Sequence, residues 1–401
     1  MNKIAIIGAG VTGVTTAYEL ASRGFDVTVF DKHRYAAMET SFANGGQLSA
    51  SNAEVWTHPS TVRKGLTWLF AKDAPLAFNM RPSLHKYSWL AEFVLNFRNY
   101  RSHTIETTRL AIEARRHLFA IAEREGIDFD LHKRGILHLY RDRAGFAHAE
   151  SVNRLLVAGG LERYPVTAKE MRDLEPTLVG DYFGGFFTPG DATGDIHKFT
   201  TGLSQVCERQ GVQFRFETAI SHIAPTTGSN ANAGYSLRGP FGVEVFDSVV
   251  ICAGTHSNRF ARQLGDRLNI YPVKGYSITV ALDDPLSQSS APTVSLLDDA
   301  RKIVSSRLGV DRFRVAGTAE FNGMNFDIRS ERIAPLVNWT RELFPGVDTE
   351  HVVPWAGLRP MTPSMMPKVG PGRRPGVFYN TGHGHLGWTL SAVTAHQVAA
   401  H

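Results

Sequence analysis

The sequence predicts a chain of two sheets: an α/β domain on a parallel sheet, and a second, α+β domain whose sheet is mostly antiparallel. Three observations carry this. Ile4 to Ile7 and Val27 to Phe30 are short continuous apolar runs, as strands buried on both faces should be. Between them Val14, Ala17, Leu20 and Ala21 recur at helical spacing, giving strand–helix–strand. Far downstream, NIYPVKGYSITVAL, RKIVSSRLG and RFRVAGTAEF return as strand-like segments within residues 268–345. A chain of 401 residues has room for about two such domains.

Bulk properties narrow the partners. The net charge of +5 mildly favours anionic partners such as lipid surfaces or phosphates. The basic residues are dispersed, so no nucleic-acid partner is expected. No apolar stretch approaches 18 residues, so no transmembrane helix is expected. Lys3 leads directly into the first strand without a leader pattern, which points to the cytoplasm. Cys207 and Cys252 are far apart. They fit a reducing compartment and exclude a cysteine-based zinc or iron–sulfur site.

The first strand runs into Gly8-Ala9-Gly10-Val11-Thr12-Gly13, a G-x-G-x-x-G loop that opens a helix. Gly24 sits where that helix should end in a left-handed residue. The second strand ends at Asp31, 21 residues after Gly10, followed by Lys32. Gly8 permits the tight turn, Gly10 lets backbone approach a pyrophosphate, and Gly13 lets helix pack on strand. Asp31 can hold a ribose hydroxyl. The free N–H groups of the helix N-terminus favour the anion. With strand before, helix after and acid at the right distance, this is the context a dinucleotide site requires.

A nicotinamide dehydrogenase would continue as regular alternating strands and helices. This chain runs instead into ETSFANGGQLSAS, residues 39–51. Thr40, Ser41, Asn44, Gly45, Gly46 and Leu48 are candidates to line a second stretch of a long cofactor. Read alone, the segment fits a surface loop of turn formers equally well.

Residues 59–125 read as helical, with Trp68, Phe70, Phe78, Trp89, Phe93, Phe97 and Tyr100 among them. Arg63, Lys64, Lys72, Arg81, Lys86, Arg98 and Arg101 are interspersed. Core packing is the simpler reading; an interfacial patch on an anionic membrane is the other. RGILHLYRD (134–142) reads as a strand and 167–175 as a short acidic helix. Residues 184–223 read as strand, loop, helix, strand. VEVFDSVVICAG (243–254) is a hairpin arm and then a buried strand ending at Ala253-Gly254, an end that should abut the nucleotide crevice. Residues 224–237 form a polar turn, and a helix follows at 328–344.

Near the C-terminus, NTGHGHLGWTLS (380–391) places three glycines beside the start of the last helix. With IAIIGAGVTGVTTAYEL, ETSFANGGQLS, GDATGDIHKFT, YPVKGYSITV, RVAGTAE and GLRPMTP, this order of motifs resembles the flavin-dependent amine and amino-acid oxidoreductases of the D-amino-acid oxidase class. More narrowly the chain is similar to the bacterial D-amino-acid dehydrogenases, nearly end to end. The resemblance implies a discontinuous, Rossmann-like FAD-binding domain from 1–58, 184–267 and 346–401. It leaves 59–183 and 268–345 as a substrate domain with a helical insertion.

The resemblance also implies roles. Gly8, Gly10 and Gly13 cradle the pyrophosphate and Asp31 the adenosine ribose. Gly384, Leu386, Gly387, Trp388 and Thr389 offer backbone N–H groups to the isoalloxazine, where charge develops at N1 and the C2 carbonyl as N5 takes hydride. Arg359 in WAGLRP is the expected carboxylate clamp, since a guanidinium binds that group in a planar fork. Tyr276 and Trp355 are expected pocket walls. His383 and His385 stand at the cavity edge, and His383 and Tyr276 join Arg359 as candidate catalytic residues. A metal site from His383-x-His385 with His197 and Asp195 is not expected. Lys274 reads as a cation near the flavin rather than a Schiff-base nucleophile. The implied reaction is oxidation of a D-amino acid to a 2-oxo acid and ammonia, with electrons passed to a quinone or respiratory carrier. Peripheral attachment to the cytoplasmic face of the inner membrane is a further expectation. The alternatives are an oxidase of glycine, proline or secondary amines, and a flavin-binding protein without catalysis.

Two stretches depart from the family pattern: Ser364-Met365-Met366 after GLRPMTP, and LSAVTAHQVAAH after GWT. The first suggests a different substrate pocket, the second altered helix packing. The related sarcosine oxidases attach flavin through a cysteine and set a lysine over its ring. No cysteine follows Cys252 and FRVAGTAEF carries no lysine, so the resemblance implies non-covalent FAD and a dehydrogenase.

Overall fold

A computed structural model describes residues 2–61, 76–226 and 234–401. Its first sheet has the strand order Lys368–Pro371, Val377–Thr381, Ser248–Ile251, Lys3–Ile7, Asp26–Phe30, Gln213–Arg215. All neighbours are parallel except the Lys368–Pro371 edge. The apolar runs seen in sequence sit in its centre, where both faces are covered. Ala5 and Ile6 are fully buried. The helices Val11–Ala21, Ile196–Arg209 and Gly387–Ala399 pack together over one face, so the two ends of the chain meet. A small antiparallel sheet, His222–Pro225, Tyr235–Gly239 and Gly242–Phe246, covers the other face with Phe260 and Leu264.

The second sheet runs Val352–Met361, Tyr271–Ala281, Arg312–Phe321, Ile303–Leu308, Ser295–Asp298, Ile136–Tyr140, Gly184–Thr188, Tyr164–Val166. It is antiparallel apart from the pairing of Ser295–Asp298 with Ile136–Tyr140 and of the short Leu76–Phe78 with Arg312–Phe321. The helix Ser330–Leu343 covers one face, burying Leu336 and Trp339 against Ile278, Phe313 and Tyr276. The opposite face looks toward the first domain.

Two segments lie on the other side of the expected domain boundary. Val352–Met361 pairs with Tyr271–Ala281 over ten residues and so belongs to the second sheet, although 346–401 was expected in the first domain. Gly184–Thr188 joins the second sheet for the same reason, its partners being Ile136–Tyr140 and Tyr164–Val166.

The helical insertion holds Leu84–Leu95, capped by the Ser83 side chain at Lys86 N, and Tyr100–Glu125. Trp89 and Phe93 turn inward and pack with Tyr271, Phe321 and Met361, as core packing requires. Lys86 is buried too, donating to the carbonyls of Asn79 (2.6 Å) and Arg81 (2.5 Å). The same helix also carries exposed Leu84, Tyr87 and Leu95 away from the cavity lining. Arg63, Lys64, Trp68, Phe70 and Lys72 lie outside the described residues. No helix among the described residues is long and apolar enough to cross a membrane.

Candidate active site

One cavity of about 870 Å³ runs between the two sheets. That is the upper part of the usual range for ligand sites, roughly 300–1,000 Å³. At one end lies the first glycine loop. A Cβ at Gly13 would collide with the carbonyl oxygen of Gly8, so only glycine allows this helix to start so close to its strand. The helix Val11–Ala21 has no acidic residue in its first turn and no side-chain cap at Gly10. Ser41 Oγ accepts from Val11 N (3.0 Å), and Gly10, Val11 and Thr12 of the same turn line the cavity. Asp31 accepts from Ala9 N (2.7 Å) and His33 N (2.9 Å), which fixes its carboxylate at the cavity wall. Lys32 pairs with Glu39 at 2.5 Å beside it.

The middle is walled by Thr40, Ser41, Asn44, Gly45 and Gly46 on one side and by Gly384, Leu386, Gly387, Trp388 and Thr389 on the other. Gly45 and Gly46 lie against Val304, Ala316 and Ser306 of the second sheet. Thr389 Oγ1 accepts from Ser49 N (3.1 Å) and ties the last helix to this loop. The helix Gly387–Ala399 also starts without a side-chain cap or an acid, and its N-terminal end opens on the cavity. Asp191 holds the loop from behind. Fully buried, it accepts from Ala50 N (2.9 Å) and Ser51 N (3.1 Å) and pairs with Arg115.

Arg359 projects into the cavity from the edge strand of the second sheet. Its Nη1 donates to the carbonyl of Thr318 (2.9 Å), and among the described residues no carboxylate pairs with it. Burial alone lowers its pKa to about 10. Half-buried at the cavity wall, the guanidinium is costly to leave without an anion, and the part of its fork not bonded to Thr318 is free to receive one. Thr318 holds its backbone at φ +61°, rare for a β-branched residue, and thereby offers that carbonyl. Gly275 leaves the necessary room: a Cβ there would come within 2.5 Å of Arg359 Cζ.

The FAD-dependent oxidoreductase family of the D-amino-acid oxidase type matches residues 3–401. The chain belongs to this family. It is 62% identical over 399 residues to D-amino acid dehydrogenase 3 of Mesorhizobium japonicum, covering 100% of this chain and 96% of the relative. It is 41% identical to a D-amino acid dehydrogenase of Paramagnetospirillum magneticum, covering 99% and 94%. Among solved structures, glycine oxidase from Geobacillus kaustophilus shares its fold at a TM-score of 0.78 and 22% identity, covering 100% of this chain and 94% of that one. L-proline dehydrogenase from P. horikoshii does so at 0.77 and 16%, covering 99% and 92%.

The residues present fit FAD. The two uncapped helix ends, the glycine approach at residue 13 and the Asp31 carboxylate form the donor and acceptor set that a pyrophosphate and a ribose need. Most expected cofactor residues line the cavity, including Gly8, Lys32, Ala253 and Gly254. Three do not line it: Ala9, Gly13 and Leu48. Ala9 and Leu48 are fully buried in the core under the helices, and Gly13 serves helix packing. Trp388 contributes backbone only, since its ring packs on Phe129 and Phe199.

Two expected catalytic residues, Tyr276 and His383, border the cavity, but their side chains bond to groups outside it. Gly275, Ser277, Trp355 and Arg359 share the cavity face of the sheet, so the next-door Tyr276 and Lys274 point to the opposite face. Tyr276 donates to Glu320 (2.6 Å) and is packed under the helix Ser330–Leu343. Lys274 donates to Asn325 Oδ1 (2.5 Å) and lies 3.5 Å from Glu320. Burial opposes the charge on Glu320, but the Tyr276 hydroxyl, Lys274 and Arg329 outweigh it and keep its pKa low. The Tyr276 hydroxyl and the Lys274 ammonium are thus both engaged by this network. His383 is buried with Nε2 on Thr394 Oγ1 (3.0 Å), and burial lowers its pKa to about 3. It is a neutral strut between the loop and the last helix. His385 stacks on Trp56 (centroids 4.8 Å, 17°), and its Nε2 meets the carbonyl of Asn52 (3.1 Å). A carbonyl only accepts, so Nε2 carries the proton. Burial, aided by Arg359, lowers the His385 pKa to about 4.

No cluster among the described residues could hold a metal ion. Asp195 caps the helix Ile196–Arg209 and pairs with Arg312. The Ser364–Met366 loop does not line the cavity. Met365 packs with Trp89 and Phe93, and Met366 takes the Thr107 hydroxyl. Sequence reasoning missed Gly275 and Thr318, whose roles follow only from strand register. Asp191 lies in the GDATGD motif, which could have flagged it.

Proposed function

We propose that the chain is an FAD-dependent dehydrogenase of D-amino acids, forming a 2-oxo acid and ammonia. The observation that carries this is Arg359, a cation with no carboxylate partner among the described residues, which faces the cavity beside the FAD cradle. The names of its relatives, D-amino acid dehydrogenases at 62% and 41% identity, support the substrate class.

Arg359 binds the substrate carboxylate with the part of its fork left free by Thr318. His383 and His385 stay neutral near pH 7 and add no second charge to compete for that anion. Bound FAD supplies a hydride acceptor. The α-carbon of the neutral amine gives up its hydrogen with both bonding electrons, leaving a cationic imine. Water then adds to that imine and ammonia departs. No side chain must remove the α-hydrogen as a proton. Orientation by Arg359 and by the walls Trp355 and Trp56 supplies much of the rate. Electrons leave to a quinone or another non-oxygen acceptor. Peripheral attachment to an anionic membrane is part of the reading, supported by the exposed apolar residues of the helix Leu84–Leu95 and the net charge of +5.

The test is anaerobic bleaching of the holoenzyme with matched D- and L-amino acids. D-enantiomers should bleach the flavin and L-enantiomers should not. Bleaching by neither, or by L alone, contradicts the reading. Rapid peroxide formation in air would favour an oxidase. Salt-sensitive binding to anionic vesicles, absent with neutral ones, tests the membrane part.

A further inference from the structure

Part of the cavity wall forms an apolar lobe. Trp56, Leu76, Phe78, Leu90, Phe93 and Phe321 line it. Strand register puts these groups near the clamp. Phe321 follows Thr318 on the strand that gives Arg359 its carbonyl partner, and Phe78 pairs beside it. The two rings stack at 5.6 Å. Trp56 closes the near side, carried on the imidazole of His385. Trp56, Leu76, Phe78 and Leu90 pack on the aromatic core around Trp89, yet each stays only partly buried, because one side of each faces the lobe.

We propose that this lobe receives the substrate side chain and selects D-amino acids with large apolar side chains, aromatic ones included. The inference rests on the reading of Arg359 as the carboxylate clamp. With the carboxylate on Arg359, the side chain meets aliphatic and aromatic carbon. An ionic side chain would lose its water and gain no partner among the described residues of the wall. Lys86 is turned away, its ammonium committed to the carbonyls of Asn79 and Arg81 with the Phe78 ring 4.8 Å off. The cations Arg163 and Lys302 that line the same cavity are engaged, the first by Asn153 and Tyr140 and the second by Asp299. Glu54 also borders the cavity, but its carboxylate accepts the Tyr100 hydroxyl at 2.6 Å. Arg163 and Lys302 lie near enough to feel its charge. Glu54 is therefore already compensated and offers little to a basic side chain. A methyl side chain such as that of alanine would leave the lobe unfilled and forgo the burial it offers.

Each added methylene that enters such a wall is worth about fourfold in binding. Three added carbons from D-alanine to D-leucine therefore predict roughly a thirty- to hundredfold rise in kcat/KM. The experiment uses the holoenzyme with D-phenylalanine, D-leucine, D-alanine, D-aspartate and D-lysine under anaerobic conditions. A second series measures dissociation constants of acetate, butanoate and phenylacetate from perturbation of the flavin spectrum. D-Phenylalanine and D-leucine should lead, D-aspartate and D-lysine should trail, and phenylacetate should bind well ahead of acetate. Trp56→Ala and the milder Leu90→Ala should each lower the ratio of D-leucine to D-alanine efficiency, Trp56→Ala by roughly tenfold. Preference for D-alanine or D-aspartate overturns the proposal, as does preference for D-lysine, which would assign Glu54 as its partner. An unchanged ratio in both variants does the same. The carboxylate series separates this idea from the one beneath it. If no amino acid bleaches the flavin but affinity climbs with carboxylate size, the reaction assignment fails and the lobe stands. If bleaching succeeds but affinity is flat with size, the lobe fails.

Discussion

The cofactor end and the substrate end of this cavity are built from different material. The cofactor end is backbone: glycines that allow close approach, and two helix N-termini left without acids or caps. The substrate end is side chain: one guanidinium, a strained carbonyl that aims it, and a ring of aromatics. Backbone sites tolerate almost no change at their glycines but care little about neighbouring side chains. Side-chain sites depend on which face of a strand a residue occupies. The two ends should therefore fail in different ways.

The largest effect is expected at residue 13. In Gly13→Ala the new methyl has nowhere to go, since its neighbour is the backbone of Gly8. FAD retention after gel filtration should fall at least about tenfold, or the protein should not fold. A soluble variant with full flavin would break the account of the cofactor end.

Gly275→Ala probes the other end. Its methyl meets a flexible guanidinium, so the protein should fold and hold FAD while Arg359 is displaced. Carboxylate affinity should drop roughly tenfold, with loss of one charged hydrogen bond as the upper bound. An amine without a carboxylate should be nearly indifferent.

Tyr276→Phe sharpens the contrast one residue along. It removes the hydroxyl from Glu320, which should cost roughly 1–3 kcal/mol of stability. The turnover number should change less than about twofold. A tenfold loss of turnover would return Tyr276 to the reacting groups.

These pairs mark what the sequence made legible. The first domain could be read from Ile4–Ile7, the glycine spacing and Asp31, because a backbone site writes itself into residue spacing. The antiparallel character of the second sheet was also visible. What was not visible is parity. Tyr276 looks more chemical than Gly275, but one step along a strand reverses the face, and only the pairing with Val352–Met361 fixes it. His383 and His385 are two residues apart in a turn, and their partners, Thr394 and Asn52, lie on distant segments. The Ser364–Met366 loop reads as a pocket wall until helix packing takes it into the core.

A smaller effect concerns acid stability. His383 and His385 have folded pKa values of about 3 and 4, below the ordinary 6.5. The unfolded chain therefore binds more protons in that interval, and stability rises with pH across it. Their contribution is complete above about pH 6.5 and declines as pH falls toward the folded values. In denaturant unfolding between those limits, His383→Gln should remove up to about one proton from the pH slope. An unchanged slope would mean that His383 is already charged or solvated in the fold.

The central claim is that Arg359 is an anion acceptor rather than part of the scaffold. The direct measurement is titration of phenylacetate into the FAD-loaded protein, followed by the flavin spectrum, for the native chain, Arg359→Lys and Arg359→Ala. The account predicts full FAD in all three. It predicts roughly ten- to hundredfold weaker binding in Arg359→Lys, which keeps the charge but loses the fork, and weaker still in Arg359→Ala. Equal affinity in all three, or loss of FAD with the arginine, would contradict it.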